Sequence, residues 1–339
     1  MRFYYTRSDV VIKVGGSPSR FDKTLRECWM KIHDAGGLRY KVSPPKEFVV
    51  TSCALKTLIL SNPDRFKLRR EPVPVFSLDE PFGSFGGFSF NEVKPEEVLI
   101  EISTPASTKI PSILLANISP FTLYHSILVP QPSSCWNQRL RRQALLSAIE
   151  CQLLSNDAYL CMGFNSLMAH ASVNHLHFHI WQSPEYLHAM SSAIQPRTAT
   201  PSFFEIPEHP VHNFVLELHS AEEIDQFVDK IWSVVLACQN ADIAHNLFLA
   251  RSRSSGLLRA VLWPRRAVDT PKSTGPNMTG PGYNVAVAEL AGMFVVASDE
   301  VALQLRSEGP SEVLKAERLS DEDIKRVESK LQHEFPNPS

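Results

Sequence analysis

Apolar residues recur at helical spacing in four segments, and the residues at their ends agree with that reading. In Phe21 to Ala35, Leu25, Trp29 and Ile32 fall on one face, and Gly36-Gly37 follows, where a left-handed residue can close the last turn. Asn137 to Leu154 aligns Leu140, Ala144, Ala148 and Leu153, with Arg139, Arg141 and Arg142 crowding its start. That basic start opposes the helix dipole and calls for solvent or an anion. Ser220 with Glu223 reads as a capping box before Ile224, Phe227, Val228, Ile231, Val235 and Cys238. Ser320, followed by Asp321 and Asp323, opens a last amphipathic helix through Ile324, Val327 and Leu331.

Between these lie short runs rich in β-branched and aromatic residues and bounded by Pro or Gly, which predict strands. They are Val98 to Ile102, Ile113 to Ile118, Leu123 to Val129, Ala158 to Gly163, Ser172 to Trp181 and Val211 to Leu218. Asn246 to Arg251 and Leu257 to Trp263 flank Ser254-Ser255-Gly256 as a hairpin, and Asn284 to Glu289 and Met293 to Ala297 meet at Ala291-Gly292 as another. Hairpins outnumber crossovers, so an antiparallel sheet packed with helices, an α+β fold, is expected. The polar, Pro- and Gly-rich stretch from Pro264 to Gly282 is expected to be a mobile loop over a site.

Composition narrows the class. With 34 Lys+Arg against 36 Asp+Glu the net charge is −2, so bulk attraction to nucleic acid or anionic membrane is excluded. At 43% hydrophobic and 21% charged the chain buries a substantial core and is not disordered. The six cysteines, Cys28, Cys53, Cys135, Cys151, Cys161 and Cys238, form no Cys-x-x-Cys pair and read as reduced thiols. No apolar run suits a signal peptide or a membrane span, so a cytoplasmic, soluble protein is expected.

Candidate chemistry concentrates in Ser172-Val173-Asn174-His175-Leu176-His177-Phe178-His179-Ile180-Trp181. On a strand the side-chain period is two, so His175, His177 and His179 share one face with Trp181, and Leu176, Phe178 and Ile180 point into a core. Two readings stay open at this level. Imidazoles two apart can meet on one metal ion, although three along a straight strand, about 6.6 Å apart, need a kink to do so. Alternatively, the middle imidazole attacks phosphorus and carries the group as a phosphoramidate, with neighbouring donors holding the oxygens.

The alternating run resembles the signature of the histidine-triad superfamily of nucleotide hydrolases and transferases. More narrowly, Gly163-Phe164-Asn165-Ser166-Leu167 followed by Ala171 to His179 resembles the GDP-hexose phosphorylases, nearest the animal enzymes and more distantly the plant ones. Further similar segments are Arg65 to Pro72, Lys94 to Leu99, Ser112 to Asn117, His125 to Pro130, His245 to Phe248, Trp263 to Arg265 and Ala288 to Gly292. The resemblance implies a histidine-triad-like half-barrel sheet over residues 20 to 300, with an internally duplicated unit left open. An N-terminal segment of residues 1 to 20 would precede it, and a charged helical tail, 301 to 339, would follow. Removing the chain after Arg318 is then expected to cost activity little.

It also implies that His177 attacks the α-phosphorus of a GDP-hexose, that inorganic phosphate takes the GMP group, and that His175 and His179 flank the phosphates. Asn165, Ser166, Ser172 and Asn174 are candidate oxygen contacts. Arg69 and Arg70, with Arg251, Arg253, Arg265 and Arg266, are candidate cations for the acceptor anion. The expected partners are a GDP-sugar and phosphate, not nucleic acid or membrane, with a homodimer left open. No metal or other cofactor is needed, although Mg²⁺ can accompany the nucleotide.

Three residues depart from the family pattern: Met168 and His170, where small residues are expected, and Tyr124, where many relatives have Gly. Met168 and His170 are expected to narrow or re-polarise the pocket. Related transferases often have Gln at the third triad position and hydrolases His, so His179 keeps a histidine-triad hydrolase in view, beside a non-catalytic nucleotide-binding module.

Overall fold

The computed structural model describes all residues except 43–45, 52–54, 71–76, 85–86, 104–110, 269–279 and 335–339, and only the main chain of Arg7 and of residues 46–51. The strands are β1 (Arg2–Tyr4), β2 (Lys46–Thr51), β3 (Lys56–Ser61), β4 (Val98–Ser103), β5 (Ser112–Ala116), β6 (Ser126–Val129), β7 (Leu160–Asn165), β8 (Phe178–Gln182), β9 (Gln195–Pro196), β10 (Phe204–Glu205), β11 (Phe214–Leu218), β12 (Ala244–Arg251), β13 (Leu258–Arg265) and β14 (Met293–Val296). The helices are α1 (Arg20–Asp34), α2 (Pro63–Leu68), α3 (Arg142–Leu153), α4 (His188–Ser191), α5 (Ile224–Asn240), α6 (Val287–Leu290), α7 (Asp299–Glu308), α8 (Pro310–Lys315) and α9 (Asp321–Glu334).

Among the described residues, eleven strands form one sheet in the order β1-β4-β5-β6-β8-β7-β12-β13-β11-β10-β9, antiparallel throughout except where β1 joins β4. Its connectivity repeats. The chain makes β4, β5 and β6, crosses through α3, and returns as the β7–β8 hairpin with β8 beside β6. It then makes β9, β10 and β11, crosses through α5, and returns as the β12–β13 hairpin with β13 beside β11. The two halves meet antiparallel at β7 and β12, and α3 packs on α5, so the unit is internally duplicated.

Alternation along the strands divides the core between the two faces of this sheet. Phe178, Ile180, Leu247, Leu249, Leu258, Ala260 and Leu262 join one cluster beneath α1, α3, α5 and α9. Trp181, Phe248, Ala250, Val261 and Trp263 join the other, covered by α4, α6, α7, α8 and the small sheet β14-β3-β2.

Several sequence expectations shift. The helix expected from Asn137 starts at Arg142, because Gln138 is engaged elsewhere, as described below. The anions that its basic start requires are carboxylates: Arg142 pairs with Asp229 at 2.6 Å and Asp225 at 3.6 Å on α5, and Arg139 pairs with Asp79. Ser220 makes no side-chain cap; residues Ala221–Glu223 form a 3-10 turn before α5. Asn284 to Glu289 is no strand. It ends in the single turn α6, where the Ala286 N–H donates to Glu289 Oε2 at 2.9 Å, and β14 pairs in parallel with β3 instead. Most of the loop expected from Pro264 to Gly282 lies outside the described residues, and its first two residues finish β13.

The two ends of the chain pack into the same body. β1 extends the main sheet, and Val327 and Leu331 of α9 are fully buried in the larger core. On α9, Glu328 also pairs with Arg197 at 2.5 Å. The chain after Arg318 is thus part of the larger core, through Leu319, Ile324, Val327 and Leu331. Five cysteines are free thiols, and Cys53 lies outside the described residues. Among the described residues no helix is long and apolar enough to cross a membrane.

Candidate active site

The segment expected as one strand from Ser172 to Trp181 is regular only from Phe178 onward. Before it, main-chain groups leave the ladder and find other partners. The Leu176 N–H donates to the Trp136 carbonyl at 2.8 Å. Gln138, 1% exposed, takes the place of a neighbouring strand: its Oε1 accepts the His177 N–H at 2.8 Å, and its Nε2 donates to the His177 carbonyl at 3.1 Å and the Asn165 carbonyl at 2.9 Å. The alternation survives, since Leu176, Phe178 and Ile180 lie in the core and Trp181 on the opposite face.

This kink sends the three rings to different partners. His177 Nδ1 lies 2.7 Å from the His175 carbonyl. A carbonyl only accepts, so Nδ1 carries the proton and Nε2 the lone pair, the tautomer a nucleophile requires. The His175 ring turns away: its Nδ1 accepts the Phe90 N–H at 3.2 Å, Phe82 and Phe90 pack against it, and burial pushes its pKa down to about 4. It lines neither cleft described below, so its contribution is the carbonyl that orients His177, not a phosphate contact.

At the third position the Phe121 N–H donates to His125 Nδ1 at 3.2 Å, and His125 Nε2 lies 3.1 Å from both the Asn117 amide nitrogen and His179 Nδ1. Burial, with Arg65 and Arg69 nearby, holds His125 well below the usual imidazole range, so its ring is neutral at pH 7. These arrangements give the triad no common metal. Among the described residues no group of three His, Cys, Asp or Glu is placed to hold one.

Two adjoining clefts open over this face. The first, about 730 Å³, is bounded by His177, His179, Ser172, Arg39, Arg65, Arg69, Arg70, Asn117 and Glu97, with apolar walls from Phe88, Phe90, Val93, Leu115, Ile127 and Val173. The second, about 580 Å³, lies between α2 and α6 and is bounded by Asn165, Trp181, Asn284 and Glu289. Arg65, Arg69, Ser172 and His179 line both. Burial first, and then Arg65 close by, lowers the Arg69 pKa to about 9, so it stays a cation at neutral pH. Arg70 lies over the Phe88 ring, 3.3 Å from its centroid.

Of the sequence candidates, His177, His179, Ser172, Arg69 and Arg70 come together, and Asn165 reaches the second cleft. Asn165 Oδ1 also accepts the Val287 N–H at 3.0 Å and the Asn246 amide at 2.6 Å, which pins α6 in place. Ser166 and Asn174 border neither cleft. Ser166 donates to the Leu167 carbonyl and accepts the His245 N–H, and Asn174 ties Gln138 to the carbonyls of Glu80 and Pro81.

Four candidate cations are also spent elsewhere. Arg251 holds the carbonyls of Val11, Ile12 and Ser155; Arg253 lies near Tyr186; Arg265 pairs with Glu317; and Arg266 borders neither cleft. Nor do Met168 and His170 line a cleft, so they do not narrow the pocket. Sequence reasoning missed Arg65, Gln138 and the role of His125. Arg65 on α2 stands four residues before Arg69, which caps the C-terminus of that helix.

Comparison with known proteins agrees with this geometry. Family models described as "GDPGP1-like, N-terminal domain" and "GDPGP1-like, C-terminal domain" match residues 20–181 and 186–336. The chain is 31% identical to GDP-D-glucose phosphorylase 1 of Danio rerio over 86% of each chain. It is 29% identical to GDP-D-glucose phosphorylase 1 of Homo sapiens over 83% of this chain and 75% of that one. GDP-L-galactose phosphorylase 1 of Arabidopsis thaliana is 25% identical over 77% and 62%. In fold the chain is similar to yeast Ap4A phosphorylase Apa2 in complex with AMP, with a TM-score of 0.62, 18% identity, and coverage of 89% of this chain and 98% of that one.

Proposed function

The chain belongs to the GDPGP1-like family, whose two domain models together span most of it, and on that premise we propose that it is a nucleotide-sugar phosphorylase converting GDP-D-glucose and phosphate to GDP and glucose 1-phosphate. The observation that carries the reading is the His177 tautomer: Nδ1–H is committed to the His175 carbonyl, and the nucleophilic Nε2 belongs to a ring lining a cleft shared with four arginines.

In the first step Nε2 forms a bond to the α-phosphorus, the bond from phosphorus to the bridging oxygen breaks, and glucose 1-phosphate leaves. The imidazolium so formed is stabilised through Nδ1–H by the carbonyl that already accepts it. In the second, a phosphate oxygen attacks the same phosphorus, the P–N bond breaks and GDP leaves. In this reading His179, Ser172 and the guanidinium groups of Arg65 and Arg69, which line both clefts, receive the phosphate oxygens. The second cleft is assigned to the hexose phosphate and then to the acceptor phosphate. Trp181, whose buried indole N–H has no acceptor among the described residues, and Asn284 are suited to sugar hydroxyls. Phosphorolysis differs from hydrolysis in needing a site for this second anion, and the cations common to both clefts support the former. Mg²⁺ accompanying the nucleotide is the one metal in this reading.

The test is product analysis with GDP-D-glucose, with and without phosphate, for wild type and His177→Asn. Phosphate-dependent GDP and glucose 1-phosphate, lost by at least about 10³-fold in the variant, are expected. GMP released without phosphate would make the enzyme a hydrolase, and turnover by the variant would remove the covalent step.

A further inference from the structure

The outer part of the first cleft has the form of a slot for a flat ring. Across the sheet His179 pairs with Ile127, Ile127 with Leu115, and Leu115 with Val98. At about 4.8 Å per strand this row covers roughly 14 Å, comparable with the reach of an extended nucleoside monophosphate from its phosphate to the far edge of its base. Leu115 and Ile127 form an apolar floor, with Phe88, Val93 and Val173 beside it. Phe90, 5.0 Å from the His177 ring and 5.4 Å from Phe88, connects the nucleophile to this slot. Such walls hold any base, because every base has an apolar face.

Selection therefore falls to the polar group at the end of the row. Glu97, directly before Val98, is half-buried and lines the cleft beside these apolar side chains, with the Arg70 guanidinium close enough to interact with it. Among the described residues its hydrogen-bond donor is the Lys94 N–H, 3.4 Å from Oε1. An ionised carboxylate only accepts, and one that is partly buried is favoured where donors meet its oxygens. Guanine offers two adjacent donors, N1–H and the 2-amino group, whereas adenine presents an unprotonated N1 and no 2-amino group.

We propose that Glu97 reads the guanine edge through N1–H and the 2-amino group, and so sets the base selectivity of this site. The inference rests on the guanine-nucleotide reading above for the identity of the base, and its test separates the two. Calorimetric titration of GMP, IMP and AMP into wild type should rank them in that order. Glu97→Gln keeps the side-chain volume and an oxygen for Lys94, but sets an amide donor against the base. It should weaken GMP about 10- to 100-fold, IMP less, and AMP hardly at all.

AMP binding doubles as the control for folding. Glu97→Asp, which withdraws the charge by one methylene, should also weaken GMP selectively. Equal GMP binding in wild type and Glu97→Gln, equal losses of GMP and AMP, or a wild type indifferent between the two would each overturn the assignment. If GMP binding depends on Glu97 while GDP-D-glucose is not turned over, base reading stands and the phosphorylase reading falls. If phosphorolysis proceeds but the ratio of GDP- to ADP-glucose turnover is the same in Glu97→Gln, the reverse holds.

Discussion

At the scale of single residues, the site depends on groups that hold His177 as much as on His177 itself. Gln138 satisfies the nucleophile's N–H and carbonyl where no strand does. Gln138→Leu has a similar volume but strands buried polar groups, at about 1–3 kcal/mol each. We expect kcat to fall about 10- to 100-fold with KM nearly unchanged, and Gln138→Glu, which still accepts the His177 N–H, to recover part of it. Steady-state kinetics decide this; equal defects in both variants would reduce Gln138 to packing. The departures from the family pattern carry a backbone cost. Tyr124, Met168 and His170 have φ values of 60°, 57° and 66°, the left-handed region that Gly occupies without cost. The triad and Arg69 were legible as residue types, but Gln138 was not, because nothing in a lone glutamine announces a buried bridge.

Elements place those residues. Gly163 on β7 is paired with His179, and α6 presses against it: a Cβ there would lie 2.5 Å from a Val287 methyl and 3.2 Å from the Trp181 ring. Gly163→Val is therefore expected to lift α6, weaken the Asn165–Val287 bond and distort the second cleft. Overpacking of this kind costs about 1–3 kcal/mol. Thermal melting and kinetics should show a lower Tm and a rise in KM for the GDP-sugar; unchanged values for both would show that α6 does not shape that cleft. The helices α1 and α9 were readable from their apolar period and acidic starts, since both present one face to a core. The turn α6 was not, because Asn284 to Glu289 is short and apolar, a pattern shared by a strand and a single helical turn.

For the whole molecule, acid sensitivity follows from buried histidines. His175, His188 and His245 are pushed down to about 4 by burial, and His125 and His209 are lowered in the same way. Their neutral form belongs to the folded state, and the unfolded chain takes up protons near pH 6.5. Stability is thus full above about pH 6.5 and falls as pH drops toward 4. Thermal melts across that range should show a steep decline, made shallower by His245→Asn; a flat profile would mean that these rings are not neutral and buried together. The duplicated topology belongs to this scale too. Both halves cross through a helix and return as a hairpin, but only the first ends in the triad, so no residue repeat betrays the symmetry.

The sequence by itself determined the α+β class, the principal helices and most of the strands, and a histidine run with one buried and one reactive edge, because periodicity and residue chemistry are local properties. The tertiary structure decided on which nitrogen His177 carries its proton, which arginines of many line the clefts beside it, and which carboxylate stands at the outer end of the row. Those outcomes depend on hydrogen bonds and packing between segments far apart in the chain, and no local pattern encodes them.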